Sequence, residues 1–124
     1  MQESNTHVEN EMEFVDYQRE AIKTAQFTTG SLRALSYTTL GLTGEAGEVA
    51  ERIKKILRLE GVDLDTAIAE RREDIVKEMG DVLWYLAALC RELGVTLEEV
   101  AGANLKKLQS RYDRGVIYGD GDNR

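Results

Sequence analysis

The sequence contains no proline, and this absence removes the residue that most often breaks a helix. Cys90 is the only cysteine, so an internal disulfide is excluded and a reducing compartment, the cytoplasm, is expected. The longest apolar run, residues 82–90, is far shorter than the roughly 20 residues that cross a bilayer. The polar first residues do not have the form of a signal peptide. We therefore expect a soluble cytoplasmic protein without membrane contact.

Basic residues are also scarce. The chain has 16 lysines and arginines against 23 aspartates and glutamates, which gives a net charge of −7. Binding to a polymeric nucleic acid is disfavoured, because it needs a basic face. A single nucleotide is not excluded, since a divalent cation can bridge its phosphates to carboxylates.

What the chain does have is helical periodicity, which predicts an all-α bundle of four to five helices. The first two predicted helices span about residues 13–25 and 32–59. Asp63 or Asp65 caps the third, which ends at residue 93, and a capping box at Thr96 opens the fourth, which ends near residue 112.

Two glycines, Gly41 and Gly44, predict a loosened first half of the second helix. For the domain organisation we predict a flexible lead-in over residues 1–12, a helical domain over 13–113 and a Gly/Asp-rich tail over 114–124.

Four carboxylates fall beside the apolar stripes of the second and third predicted helices. At about 100° per residue, Glu78 lies inside the apolar arc of its helix and Asp81 lies at the margin. Glu45 points towards the stripe of the earlier helix, and Glu48 lies at its edge. Burying ionised carboxylates without a partner costs several kcal/mol, so their convergence predicts a divalent cation with oxygen ligands. The alternative is that each acidic pair belongs to a solvated helix face, and spacing alone indicates no reaction.

Polar residues also interrupt the apolar faces of the first and fourth predicted helices. Asn104 lies in the middle of such a face, and Lys107 and Arg111 follow on the same side. These two cations could hold phosphate oxygens or form ordinary salt bridges. Gln18 is a similar intruder, for which a satisfied core amide is the alternative. Trp84 points away from Glu78 and is interpreted as a packing or interface residue.

The ordered motifs resemble a known family. Residues 41–51, Gly-Leu-Thr-Gly-Glu-Ala-Gly-Glu-Val-Ala-Glu, followed by Glu78-Met-Gly-Asp81, are similar to the signature of the MazG-type all-alpha nucleoside triphosphate pyrophosphohydrolases. That signature is Glu-Glu-x-x-Glu on one helix and Glu-x-x-Asp on a later one. The pattern Asn104-Leu-x-Lys107-Leu-x-x-x-Arg111 and the closing Gly-Asp-Gly-Asp-Asn-Arg124 also fit compact, phage-like members. Gly44 stands where the signature has its first Glu.

The resemblance implies Mg²⁺-dependent hydrolysis of (deoxy)nucleoside triphosphates between the α- and β-phosphates, with Mn²⁺ as a substitute metal. The products would be a nucleoside monophosphate and pyrophosphate, and the role would be nucleotide-pool control or house-cleaning. It implies a homodimer or homotetramer, which the nearly all-round apolar third helix also favours. The implied metal ligands and catalytic residues are Glu45, Glu48, Glu78 and Asp81, with Glu45 interpreted as the proton acceptor. The implied substrate-binding residues are Gln18, Lys55, Asn104, Lys107, Arg111 and Arg124.

Two rival functions remain open from the sequence. Phosphoribosyl-ATP pyrophosphohydrolases share the helical fold and the acidic motifs. A non-enzymatic helical oligomerisation or binding module would carry the same acids as surface decoration.

Overall fold

A computed structural model describes residues 11–124, and this part of the chain is entirely helical, without strands. The four helices are α1 (Phe14–Ile22), α2 (Leu32–Leu57), α3 (Leu64–Leu93) and α4 (Leu97–Asp113). The predicted all-α fold is thereby confirmed. The first ten residues of the predicted lead-in lie outside the described residues, and the predicted domain boundaries stay predictions.

The helix ends follow from local sequence signals. The side chains of Ser31 and Asp63 each accept a hydrogen bond from the backbone N–H three residues later, which caps α2 and α3. Thr96 and Glu99 form the predicted capping box at the start of α4. Gly94 ends α3 in the left-handed conformation, with φ of 69°. The predicted first helix is too long, because the chain leaves α1 at Ile22 and turns towards α2.

Gly41 has a packing role that its helix propensity does not reveal. α2 is continuous from Leu32 to Leu57, so the predicted loosening of its first half is wrong. A Cβ atom at Gly41 would overlap the aromatic ring of Tyr85 on α3, whereas one at Gly44 would meet open space. The missing side chain at Gly41 therefore allows α2 to approach α3 closely.

Helix α3 is the centre of the fold. It contacts the other three helices, and its longest contact is with α2. The link between α2 and α3 is short, so these two helices form an antiparallel pair. The small core contains Ala87, Cys90 and Leu97, with Tyr17 of α1 packed against it. Within residues 11–124, α4 contacts α1 and α3 but does not contact α2.

Much apolar surface remains uncovered in one chain. Val76 and Met79 on α3 are each 54% exposed, and Leu105 on α4 is 67% exposed. An open groove of about 650 Å³ runs between α2 and α3, lined by Ala46, Val49, Val76, Met79, Gly80, Val82, Leu83 and Leu86. Apolar patches of this kind mark contact sites. Among the described residues, no helix combines the length and apolarity needed to cross a membrane.

Candidate metal centre

Three acids from two helices converge on one point. One carboxylate oxygen from each of Glu45, Glu78 and Asp81 lies within 4.8 Å of the other two. Glu45 and Glu78 are partly buried, while Asp81 is exposed. Glu48 also lies on the exposed side of α2 and is not part of this three-residue group. The structure therefore brings together three of the four predicted ligands.

The antiparallel pairing of α2 and α3 explains why these acids meet. Glu45 lies one turn after Gly41 on α2, and Asp81 lies one turn before Tyr85 on α3. The close approach of Gly41 to the Tyr85 ring is therefore one helical turn away from the acids on both helices. Gly41 therefore lets α2 and α3 come close enough for carboxylates from both helices to reach one another.

The electrostatics of the cluster favour a bound cation. Burial raises the pKa of the Glu45 carboxyl, and the negative charges of Asp81, Glu78 and Glu48 raise it further. Like charges this close repel unless a counter-charge offsets them. The donor set consists entirely of carboxylate oxygens, which suits a hard divalent cation such as Mg²⁺ or Mn²⁺. The residues thus fit the metal that the sequence predicts.

Arg52 is a partner of this cluster that the sequence reasoning missed. Its Nε and Nη2 atoms lie 3.0 and 2.9 Å from Oε1 of Glu78, whose side chain is only 14% exposed. Arg52 follows Glu48 by four residues, so helical spacing places both on one face of α2. That spacing was available in the sequence. The guanidinium offsets part of the negative charge and competes with a metal ion for Glu78.

An aromatic group lies beside the acids. A cavity of about 330 Å³ is lined by Glu45, Asp81, Trp84 and Tyr85. The indole N–H of Trp84 donates hydrogen bonds to the carbonyl oxygen of Ala21 and the hydroxyl of Thr24. Trp84 is therefore a packing residue, as predicted, and it also borders the metal centre, which was not predicted.

We call Phe27, Tyr37, Trp84 and Tyr85 the aromatic wall. The ring centroids of Phe27 and Tyr37 are 4.9 Å apart, as are those of Trp84 and Tyr85. Phe27 comes from the segment between α1 and α2, so the wall joins this segment to both long helices. Aromatic rings in such edge and tilted contacts form a rigid apolar surface.

A buried ion pair at the end of α3 supports the segment that carries Phe27. The Glu92 side chain is 2% exposed and accepts a hydrogen bond of 2.8 Å from the backbone N–H of Gly30. This hydrogen bond, that of the Thr29 hydroxyl and the charge of Arg91 hold the pKa of Glu92 below its usual value. The Arg91 guanidinium lies 5.5 Å from the Phe27 ring centroid. The Arg91–Glu92 pair was not predicted from the sequence, because an Arg-Glu dipeptide at the end of a helix is typical of a solvent-exposed position.

Two predicted substrate residues have other surroundings within this chain. Gln18 accepts a hydrogen bond from the N–H of Leu97 and lies 3.4 Å from the carbonyl oxygen of Val95. Gln18 therefore links α1 to the start of α4. These contacts correspond to the alternative in which its side-chain amide has its hydrogen-bond partners within the chain. Asn104 is exposed in the chain, although it lies in the middle of the predicted apolar face of α4. The reason is that the apolar face of α4 is left largely uncovered by the other helices of the chain.

The predicted cations of α4 bind the C-terminal tail. Nζ of Lys107 and Nη2 of Arg111 lie 3.0 and 2.8 Å from the same Asp122 oxygen. Arg124 donates hydrogen bonds to carbonyl oxygens of the tail itself, including those of Val116 and Ile117. In the described residues α4 does not contact α2, and the ion-pair partner of both cations is the tail carboxylate of Asp122.

Lys55, the remaining predicted substrate residue, lies on α2 beyond Arg52. Its Nζ atom is 3.6 Å from Glu51, and its side chain is 55% exposed. The roles of all the predicted site residues stay predictions.

Comparison with known proteins assigns the domain. The profile of the MazG nucleotide pyrophosphohydrolase domain matches residues 33–116. The Gene 37 protein of Mycobacterium phage L5 is 56% identical over 95 residues, which are 76% of this chain and 80% of that protein. The uncharacterized protein YvdC of Bacillus subtilis (strain 168) is 35% identical over 74 residues, 58% of this chain and 70% of that protein. No solved structure gives a significant match. The profile match contains both acidic pairs.

Proposed function

The chain belongs to the MazG nucleotide pyrophosphohydrolase family, and from this premise we propose that it hydrolyses (deoxy)nucleoside triphosphates between the α- and β-phosphates. The products are a nucleoside monophosphate and pyrophosphate, and the role is nucleotide-pool control or house-cleaning in the cytoplasm. The observation that carries the proposal is the meeting of Glu45, Glu78 and Asp81 from two helices. Carboxylates held this close need a cation, and a divalent cation is what links such a site to a polyphosphate.

The metal ligands in this proposal are Glu45, Glu48, Glu78 and Asp81, with Mg²⁺ as the metal and Mn²⁺ as its substitute. When bound, the metal supplies positive charge that offsets the phosphate oxygens. Glu48 is one turn from Glu45, so a rotation of its side chain brings it to the group. The oxygen of the attacking water forms a bond to phosphorus as the bond between the α- and β-phosphates breaks, and the water's proton passes to a carboxylate oxygen of Glu45.

The cavity beside the metal centre suits the nucleoside part of the substrate. Trp84 and Tyr85 line it together with Glu45 and Asp81. Aromatic faces stack on nucleobases without strong sequence preference. When the nucleobase stacks on these rings, the phosphates of the nucleotide point towards the carboxylates of the metal centre.

We place the cations of α4 at the acids of a second copy of the chain. Lys107 and Arg111 project from α4, which has no contact with α2 within the described part of one chain. A homodimer or homotetramer that covers the groove between α2 and α3 can bring α4 of one protomer to the acids of another. Lys55, Asn104, Gln18 and Arg124 complete the proposed substrate-binding set.

Pyrophosphate release from a panel of standard and modified nucleoside triphosphates, with and without Mg²⁺, tests the proposal. We expect metal-dependent release from at least one nucleotide. Phosphoribosyl-ATP belongs in the panel, and its preferred turnover would assign the rival activity. If a folded, Mg²⁺-loaded protein turns over no nucleotide, the enzymatic proposal fails and a binding module remains.

A further inference from the structure

A small basic pocket lies between α2 and α3, beside the metal centre. It has a volume of about 110 Å³ and is lined by Arg52, Lys55, Arg71 and Asp74. Three cations and one carboxylate thus share a partly open pocket in a chain whose net charge is −7. Pockets for drug-sized ligands measure about 300–1,000 Å³, so this one suits a phosphoryl group and not a whole nucleotide.

Two of the cations have only loose partners. Nζ of Lys55 lies 3.6 Å from Glu51, whose close partner is Lys54 at 2.7 Å. Nη1 of Arg71 lies 3.9 Å from Glu70 and donates a hydrogen bond of 3.3 Å to the carbonyl oxygen of Ala67. The two ion-pair separations exceed the roughly 2.7–3.2 Å of a hydrogen bond. An anion can therefore form shorter, charge-assisted bonds to the Lys55 ammonium and to the other N–H groups of Arg71.

Arg52 connects the pocket to the metal centre. It lines the pocket, and its guanidinium also contacts Glu78. The Arg52 side chain thus lies between an anion in the pocket and Glu78 of the acidic cluster. Asp74 is the one lining group that would repel an anion. Attraction by all three cations must outweigh this repulsion, so the pocket favours an anion of high charge.

From this arrangement we propose that the pocket binds inorganic pyrophosphate as it leaves the reaction. The proposal rests on the proposed function, because cleavage between the α- and β-phosphates makes pyrophosphate a product. One phosphoryl group enters the pocket between Lys55 and Arg71, and the other remains towards Glu78. No bond changes in this step, so the pocket contributes to product binding alone.

The chain offers a matched control for this site. Arg71 and Arg72 are neighbours on α3, both are exposed, and only Arg71 lines the pocket. Replacing either with glutamine changes the net charge equally. Calorimetric titration of Mg²⁺-pyrophosphate into the full chain should show about tenfold weaker binding for Arg71→Gln, the loss typical of one charge-assisted bond. Arg72→Gln should bind as the wild type does.

Product inhibition provides a second measurement. The inhibition constant of pyrophosphate should rise about tenfold in Arg71→Gln, in step with the binding constant. The KM for the nucleotide should change much less in Arg71→Gln, because Arg71 is not part of the proposed substrate-binding set. If Arg71→Gln unfolds, Lys55→Gln tests pyrophosphate binding to the same pocket, with Lys54→Gln as its control. The KM is not compared in that pair, because Lys55 also belongs to the proposed substrate-binding set.

The outcomes separate this inference from the proposed function. Equal effects in Arg71→Gln and Arg72→Gln, or no effect in either, would overturn the pocket while nucleotide turnover kept the enzyme proposal. If the wild type turns over no nucleotide, the proposed role of the pocket in binding the pyrophosphate product is overturned, even if pyrophosphate binds there.

Discussion

The metal centre and the tail region of α4 satisfy their charges in opposite ways. At the metal centre, Glu45, Glu78 and Asp81 lie close together with Arg52 as a cationic partner of one of them. On α4, two cations converge on a single tail carboxylate, that of Asp122. The acidic region has one cation, Arg52, in contact with one of its three carboxylates, whereas the basic region has already bound a carboxylate. A bound metal ion would offset the negative charge of the acidic region. A bound phosphate would displace the Asp122 carboxylate from Lys107 and Arg111 in the basic region.

The two regions also lie on different elements of the chain. The acids are on α2 and α3, which a short link makes antiparallel neighbours. The cations are on α4, which contacts α3 but not α2 in the described residues. In the proposed function, a second copy of the chain brings α4 to the acids.

Removing an acid should have the largest effect. Glu78→Gln should lower turnover by about 100-fold or more, because it removes a ligand of the proposed metal while keeping the side chain's shape. Steady-state pyrophosphate release measures this loss. The variant should also lose the rise in melting temperature that Mg²⁺ gives the wild type.

Glu73→Gln is the matched control for that substitution. Glu73 lies on the same helix, but its side chain is 88% exposed and its ion pair with Lys77 is long, at 3.9 Å. It should keep both wild-type turnover and the response to Mg²⁺. Retained activity in Glu78→Gln would remove Glu78 from the site.

The sequence was sufficient for the elements that depend on local signals. The capping box at Thr96, the end of the third helix at residue 93 and its cap at Asp63 or Asp65 were predicted because each signal acts within one turn of its own helix, and the cap is Asp63 in the structure. Glu78 was legible as well, since helical periodicity alone places it among apolar residues. Its partial burial in the structure agrees with that placement.

Features that depend on packing between segments could not be read in this way. The contact of Gly41 with Tyr85 joins residues on different helices, and its helix propensity gave the wrong expectation. The exposure of Asn104 has the same origin, because a helical pattern shows an apolar face but not what covers it. The burial of Glu92 depends on the turn at Gly30, which is distant in sequence.

Disturbing the contact between α2 and α3 should have the next largest effect. Gly41→Ala places a methyl group against the Tyr85 ring, and we expect a loss of about 1–3 kcal/mol in the free energy of unfolding, as for overpacked cores. Urea denaturation measures this change. Because the helices must separate there, the midpoint of Mg²⁺ binding should also shift to higher concentration.

Gly44→Ala provides the contrast on the same helix. A methyl group at this position meets open space, and alanine is the better helix former, so we expect a gain of about 0.5–1 kcal/mol. Equal stability changes in the two variants would contradict the packing role assigned to Gly41.

The smallest effect should come from releasing the cations of α4. Asp122→Asn removes the charge that Lys107 and Arg111 share, while the carbonyl of residue 122 still accepts a hydrogen bond from Arg111. If phosphate competes with this carboxylate, the KM for the nucleotide should fall by about threefold. The effect is small because the Asp122 side chain is 77% exposed, although Arg111 is buried. Asp120→Asn, a matched loss of charge two residues earlier, should leave the KM unchanged. An unchanged or higher KM in Asp122→Asn would mean that the carboxylate orients the two cations and does not compete with substrate.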